Sequence, residues 1–216
     1  MTNFIPIFPL EMVVYPGEQV HLHIFEPRYK ELIGECVQNG RLFGIPTVIQ
    51  QKMKDMGTLM EVKEVVQTYE NGEMDIRTQG LRIFRILEVI KEVPEKMYSG
   101  AIVTYPDNQD DEGNRELMQW VVKGVQELHR MLNISKDFRK PEALLRSYDV
   151  AHHAGLSLEE EYEVLELWQE IHRQEYLKRH LKKVLPMLKE MEQLKEKVKL
   201  NGHFRNLSSL DLNVEE

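Results

Sequence analysis

The sequence predicts an α+β protein: a β-barrel over residues 1–105, then a C-terminal α-helical bundle over 111–202 with a long last helix, then a tail at 203–216. Three observations point there. Most of the chain's Gly and Pro fall in the first half, where they separate short runs rich in Val, Ile, Phe and Tyr. From Asp111 onward apolar residues recur three and four positions apart, and side chains that favour helices dominate. Between the two regimes lies the polar stretch Tyr105-Pro106-Asp107-Asn108-Gln109-Asp110-Asp111, which reads as a boundary.

In the first half, strands are expected near 3–8, 19–25, 42–50, 58–69, 73–79, 81–92 and 98–105, enough to close a barrel. Asn71-Gly72 has the composition of a tight hairpin turn. One helix interrupts the strands. Pro27 suits its first position, Tyr29, Leu32, Ile33, Cys36 and Val37 form an apolar face, and Asn39-Gly40 stops it. Cys36 on that face reads as a buried structural thiol.

In the second half, Leu117, Val121, Val125, Leu128 and Leu132 share one face of a helix near 112–133, and a shorter helix runs from Pro141 toward His153. Ser157 with Glu160 has the spacing of a capping box, opening a third helix through Leu158, Tyr162, Leu165, Trp168 and His172. Leu177, Leu181, Val184, Leu188, Met191, Leu194 and Val198 then mark the long final helix, expected to end at Asn201-Gly202. Pro186 inside it is expected to kink or split it, because proline removes a backbone hydrogen bond.

Composition limits the function. With 216 residues and 42% hydrophobic content the chain can bury a sizeable core. No stretch has the roughly 18–20 apolar residues of a membrane span, and MTNFIPIFPL lacks the basic flank of a secretory signal, so a cytoplasmic protein with no membrane partner is expected. One cysteine allows no intrachain disulfide and no cysteine-based metal cluster. A net charge of -8 disfavours nucleic acid. Residues 173–200 are basic, but the acidic segment 141–172 precedes them, and the two read as paired antiparallel helices.

Motifs for chemistry are sparse. His21 and His23 share one side of a strand and His152-His153 forms a second pair, yet neither has an acid-rich cluster at metal-binding spacing, and for the His-x-His an exposed or hydrogen-bonded pair is the expected state. Ser147, Asp149 and His152 could be assembled into a triad only without the strained elbow that exposes a nucleophile. The dipeptide Gly-Lys occurs nowhere, so the phosphate-wrapping loop of that ATPase class is absent. No cofactor motif is found. Met53 and Met56, in a polar, glycine-bearing stretch read as a loop, are the candidate protein-binding residues, since exposed thioethers adapt to varied apolar partners.

Ile5-Pro6-Ile7-Phe8-Pro9-Leu10, Val13-Val14-Tyr15-Pro16-Gly17 and Leu22-His23-Ile24-Phe25-Glu26-Pro27-Arg28-Tyr29 together resemble the start of Lon proteases. The resemblance continues through Gly80-Leu81-Arg82-Ile83-Phe84-Arg85 and Tyr98-Ser99-Gly100-Ala101 to Gly155-Leu156-Ser157-Leu158-Glu159-Glu160 and Arg173-Gln174-Glu175-Tyr176-Leu177, covering about 5–200. It implies a PUA-like β-barrel followed by a helical bundle, the N-terminal substrate-recognition region of ATP-dependent protease La. It also implies a non-catalytic module, because that family's ATPase and peptidase chemistry would lie beyond this stretch. The expected partners are unfolded or client proteins, with a protease or chaperone supplying energy, and self-association is compatible with this reading. RNA binding, which PUA-like barrels perform in other families, is the alternative; the net acidic barrel half opposes it. Arg28 is expected to pair with Glu11 or Glu26.

Overall fold

The computed structural model describes residues 3–109, 113–135, 138 and 140–208, with side chains described as far as Val198. Six strands, β1 (Asn3–Pro6), β2 (Gln19–Ile24), β3 (Phe43–Ile49), β4 (Lys52–Thr68), β5 (Met74–Ile90) and β6 (Gly100–Thr104), form one antiparallel sheet in the order β1-β6-β5-β4-β3, with β2 also on β5. The chain just after β1 closes it. Ile7 donates its N–H to Ser99 on the β6 side, while Phe8 N–H and Leu10 N–H turn to Gly44 and Pro46 of β3. The prolines at positions 6 and 9 interrupt the donor row, so the segment serves two neighbours alternately instead of extending one ladder.

Two expected strands are one. β5 runs unbroken through Gly80, its residues 74–79 pairing with β2 and its residues 85–90 with β6. A Cβ on Gly80 would stand 2.5 Å from the Tyr15 carbonyl, so the glycine permits a close crossing rather than ending a strand. The expected loop before Gly57 is strand as well. Only Gln50 and Gln51 turn, both at positive φ, and β4 begins at Lys52. Gly57, read as a loop glycine, sits where the Ile45 carbonyl of β3 leaves no room for a side chain.

This bears on Met56 of the two candidate binding residues. Met56 is 1% exposed and belongs to the core, which removes it from any surface role. Met53 is half-buried at the start of β4 against the cluster of Ile5, Ile7 and Phe84.

Helix α1 (Pro27–Asn39) lies over one side of the barrel, burying Tyr29, Leu32, Ile33 and Cys36 against Phe8, Ile24, Phe43 and Met60, and Gly40 ends it in the left-handed conformation. Burial pushes the Cys36 thiol up to about 11, as befits a packed thiol. Val37, placed on the same face by its spacing, is instead 48% exposed. Arg28 pairs with Glu26 at 2.7 Å on the surface.

The opposite side of the barrel is covered by helices α2 (Arg115–Met131), α3 (Ser147–Val150), α4 (Leu158–Glu166) and α5 (Glu170–Ser208). Asn114 caps α2 by accepting the Leu117 N–H, and the Ser157–Glu160 capping box of α4 forms in both directions. The helix expected from Pro141 toward His153 is broken into short pieces, 142–144, 147–150 and 151–153, because the Ser147 N–H is drawn to the Glu170 carboxylate. The third helix stops at Glu166, where Gln109 of the connecting segment donates to the Trp168 carbonyl. α4 lies antiparallel to the start of α5, with Tyr176 donating to Glu163 and His180 3.4 Å from Glu160. α2 runs beside α5 in the same direction, from Asn114 with Gln174 to Glu127 with Lys189. α5 continues past both Asn201-Gly202 and Pro186. Lys182 and Pro186 both face solvent, so the carbonyl that proline leaves unpaired can be hydrated. Residues 209–216 of the expected tail lie outside the described residues. Among the described residues no helix is long and apolar enough to cross a membrane.

Val13, Tyr15, Ile49, Met56 and Ile83 from the barrel share one buried cluster with Val121, Val125, Leu128, Val164, Leu165, Leu177 and Leu181 from the bundle. A polar lock sits beside it. Arg173, fully buried, pairs with Glu170 at 3.0 Å and donates to Leu167, Asn108 and Gln109, with its guanidinium over the Tyr148 ring. Glu170 in turn accepts from the Ser147 backbone and hydroxyl and from Gln174.

Placing Met56 in the shared core predicts that Met56→Ser lowers folding stability by about 2–4 kcal/mol, a cavity plus an unsatisfied hydroxyl, whereas Met53→Ser costs about 1 kcal/mol or less. Urea unfolding of both variants measures the difference; equal, small losses would contradict it.

Candidate functional site

Where barrel and bundle meet, the chain leaves a cleft of about 400 Å³. Its walls come from the turn between β1 and β2 (Met12, Val13, Pro16, Glu18) and from the segment around α3 (Leu145, Tyr148, Asp149, His152), with Lys140 and Glu161 at the rim. Pro16-Gly17 forms the turn, Gly17 at φ 83, and the Tyr15 N–H donates to the Glu18 carboxylate at 3.0 Å. That turn directs Tyr15 inward. Its ring stacks on Tyr148 with centroids 4.9 Å apart and tilts against His152 at 4.6 Å, while its hydroxyl donates to the Glu161 carbonyl at 2.9 Å. Burial, with the nearby carboxylates, raises the Tyr15 pKa well above that of free tyrosine, so the hydroxyl stays protonated.

His152 bridges the two halves. Nδ1 meets Glu161 of α4 at 2.8 Å and Nε2 meets Glu18 of the barrel at 3.1 Å. Carboxylates only accept, so an imidazolium satisfies both contacts. Burial pushes its pKa down, but the hydrogen bonds and charges of Glu161 and Glu18 push it up further, to about 9. A second bridge lies alongside. Tyr162 donates to Asp55 at 3.0 Å and accepts the Met56 N–H at 3.2 Å, tying α4 to β4.

The arrangement holds no hydrolytic centre among Ser147, Asp149 and His152. The Ser147 hydroxyl is buried and donates to Glu170, Asp149 accepts from the Arg146 N–H and pairs with Lys140, and His152 is engaged by two glutamates. His21 and His23 are both exposed on β2, and His23 binds Asp75 at 2.7 Å and lies 3.3 Å from Glu73. Among the described residues no group of three or more His, Cys, Asp or Glu has metal-binding geometry. What the cleft offers is shape and mixed chemistry. The apolar residues Met12, Val13, Pro16, Leu145 and Tyr148, of which Val13, Leu145 and Tyr148 are buried, line it together with the charged Glu18, Lys140, Asp149 and Glu161.

Sequence reasoning missed Tyr15, Glu18, Glu161 and the Glu170–Arg173 pair. Only the last left a signal. Glu170, Arg173 and Gln174 precede Leu177 and Leu181 on the buried face of α5, and charged groups in an apolar stripe must be paired.

The raised His152 pKa has a consequence for stability. Its folded value of about 9 exceeds the unfolded value of about 6.5, so the bridge stabilises fully below the unfolded value and is lost as pH rises through about 9. The contribution is on the order of 2–3 kcal/mol. Wild type should therefore lose stability between about pH 6.5 and 9.5 relative to His152→Ala, and an identical pH dependence in the two would contradict the bridge.

Comparison with known proteins accords with this architecture. A family model for the ATP-dependent protease La (LON) substrate-binding domain matches residues 5–190. A Lon protease from Parabacteroides distasonis is 30% identical over 122 residues, 52% of this chain but 14% of that protein, so the chain corresponds to a small part of such a relative. In solved structures, the Lon N-terminal domain protein from Xanthomonas campestris superposes with a TM-score of 0.61 at 24% identity, over 81% of this chain and 96% of that one. The N-terminal domain of Mycobacterium avium complex Lon protease gives 0.58 at 15% identity, over 83% and 98%. These two share the fold. Matched across nearly its whole described length, the chain belongs to the Lon substrate-binding domain family.

Proposed function

We propose that the chain is a non-catalytic protein-binding module that holds extended, partly apolar segments of client polypeptides in the cleft between barrel and bundle. The observation that supports this reading is the lining: Met12 and Pro16, with the buried Val13, Leu145 and Tyr148 behind them, beside Glu18, Lys140, Asp149 and Glu161, on a domain whose family is described as substrate-binding. Apolar walls give affinity without strict sequence selection, and charged groups at the rim keep the empty cleft soluble. Held clients would pass to an energy-dependent protease or chaperone, which makes the chain an adaptor. The net charge of -8 opposes phosphate backbones and favours protein over RNA as the ligand.

Met12, half-buried at the cleft wall, is the side chain to test. Met12→Asp should lower folding stability by about 1–2 kcal/mol, since Met12 packs partly on the barrel core, and, measured well below the melting transition, weaken binding of a denatured client roughly five- to thirtyfold, an effect of about 1–2 kcal/mol. Fluorescence titration with a labelled, permanently unfolded protein and with a structured RNA measures it. Unchanged client affinity, or tighter binding of the RNA, would overturn the assignment.

A further inference from the structure

We propose that Asn71-Gly72, at the tip of the β4–β5 hairpin, is a self-modifying site that loses its side-chain amide through an intramolecular succinimide, promoted by Lys30 of α1 and the backbone of Glu73. Both residues of the pair are exposed at the turn, where the Gly72 N–H donates to the Tyr69 carbonyl and the Tyr69 N–H to the Glu73 carbonyl. The nucleophile is the Gly72 nitrogen and the electrophile is Asn71 Cγ. Glycine in second place has no side chain to obstruct their approach.

Two contacts act on these two atoms. The Glu73 N–H donates to Asn71 Oδ1 at 3.1 Å, a bond that closes a ring through the Gly72 peptide, keeps Cγ beside its nitrogen and meets the oxygen on which negative charge develops. Lys30 Nζ donates to the Asn71 carbonyl at 2.9 Å. That carbonyl belongs to the peptide group whose N–H must ionise, so a cation on its oxygen favours the anion. In the reaction hydroxide removes the Gly72 amide proton, the N–Cγ bond forms, the Cγ–Nδ2 bond breaks, and ammonia leaves with a proton taken from water. Water then opens the succinimide at either carbonyl, giving aspartate or, with the main chain lengthened by one carbon, isoaspartate. The product carries a new carboxylate beside Lys30, on a turn that already holds Glu70 and Glu73.

The chain has two further Asn-Gly pairs. Asn39-Gly40 ends α1, where the Gly40 N–H is held by the carbonyl of the buried Cys36, so that turn must unwind from the core before attack. Asn201-Gly202 lies in α5, beyond the described side chains. Peptide mapping by mass spectrometry, on the full chain aged natively at mildly alkaline pH, reads each pair separately. Asn71 should convert at least about tenfold faster than Asn39, because a hairpin tip opens more readily than a helix turn anchored in the core. Lys30→Gln should slow Asn71 about two- to fivefold and leave Asn39, the control for folding, unaltered, while Lys30→Arg, which keeps the cation, should hold the wild-type rate. Asn71 no faster than Asn39, a rate at Asn71 that Lys30→Gln leaves unchanged or raises, or Lys30→Arg as slow as Lys30→Gln overturns the proposal.

Discussion

The buried guanidinium of Arg173 is the constraint around which the rest of the molecule is arranged. A desolvated cation survives only if its donors are met, and here the acceptors come from the connecting segment (Asn108, Gln109), from the end of α4 (Leu167) and from α5 itself (Glu170). Such a pair adds little net stability over an apolar replacement, but removing one partner costs about 3–5 kcal/mol because the other charge is left stranded. Its role is therefore positional. It fixes where the barrel's last strand hands over to the bundle, why α4 stops at Glu166, and why Ser147 is drawn out of a continuous helix.

Once those segments are held, the seam between the halves follows. Tyr15 is set between Tyr148 and His152, Tyr162 reaches across to β4, and the cleft remains between the Pro16-Gly17 turn and α3. Barrel and bundle meet through one continuous apolar cluster, so the cleft is a gap in a packed interface and its walls are rigid on both sides. Ser147 and His152 beside the gap are both committed to glutamates.

Much of the architecture was legible because local patterns and tertiary packing agree. The face of α1, the Ser157–Glu160 box and the Asn71-Gly72 turn each follow from a few neighbouring residues. The failures share a cause. Gly57 and Gly80 read as breakers in the sequence, but they are glycines because another backbone passes close by, a fact that lies in distant strands. The same misreading turned the start of β4 into a loop and made Met56 a surface candidate. The candidate site was less legible still, because Glu18 and Glu161 are 143 positions apart and acquire meaning only when His152 joins them.

The central claim is that barrel and bundle form one cooperative unit held in register by Arg173. Native-state hydrogen exchange, comparing the amides of β4 around Met56 with those of α5 around Leu177, tests it most directly. The account predicts equal opening free energies in the two regions and an equal drop in both, by about 3–5 kcal/mol, when Arg173 is replaced by Met. Barrel amides that keep their protection while those of the bundle lose it would show two independent domains and contradict the account.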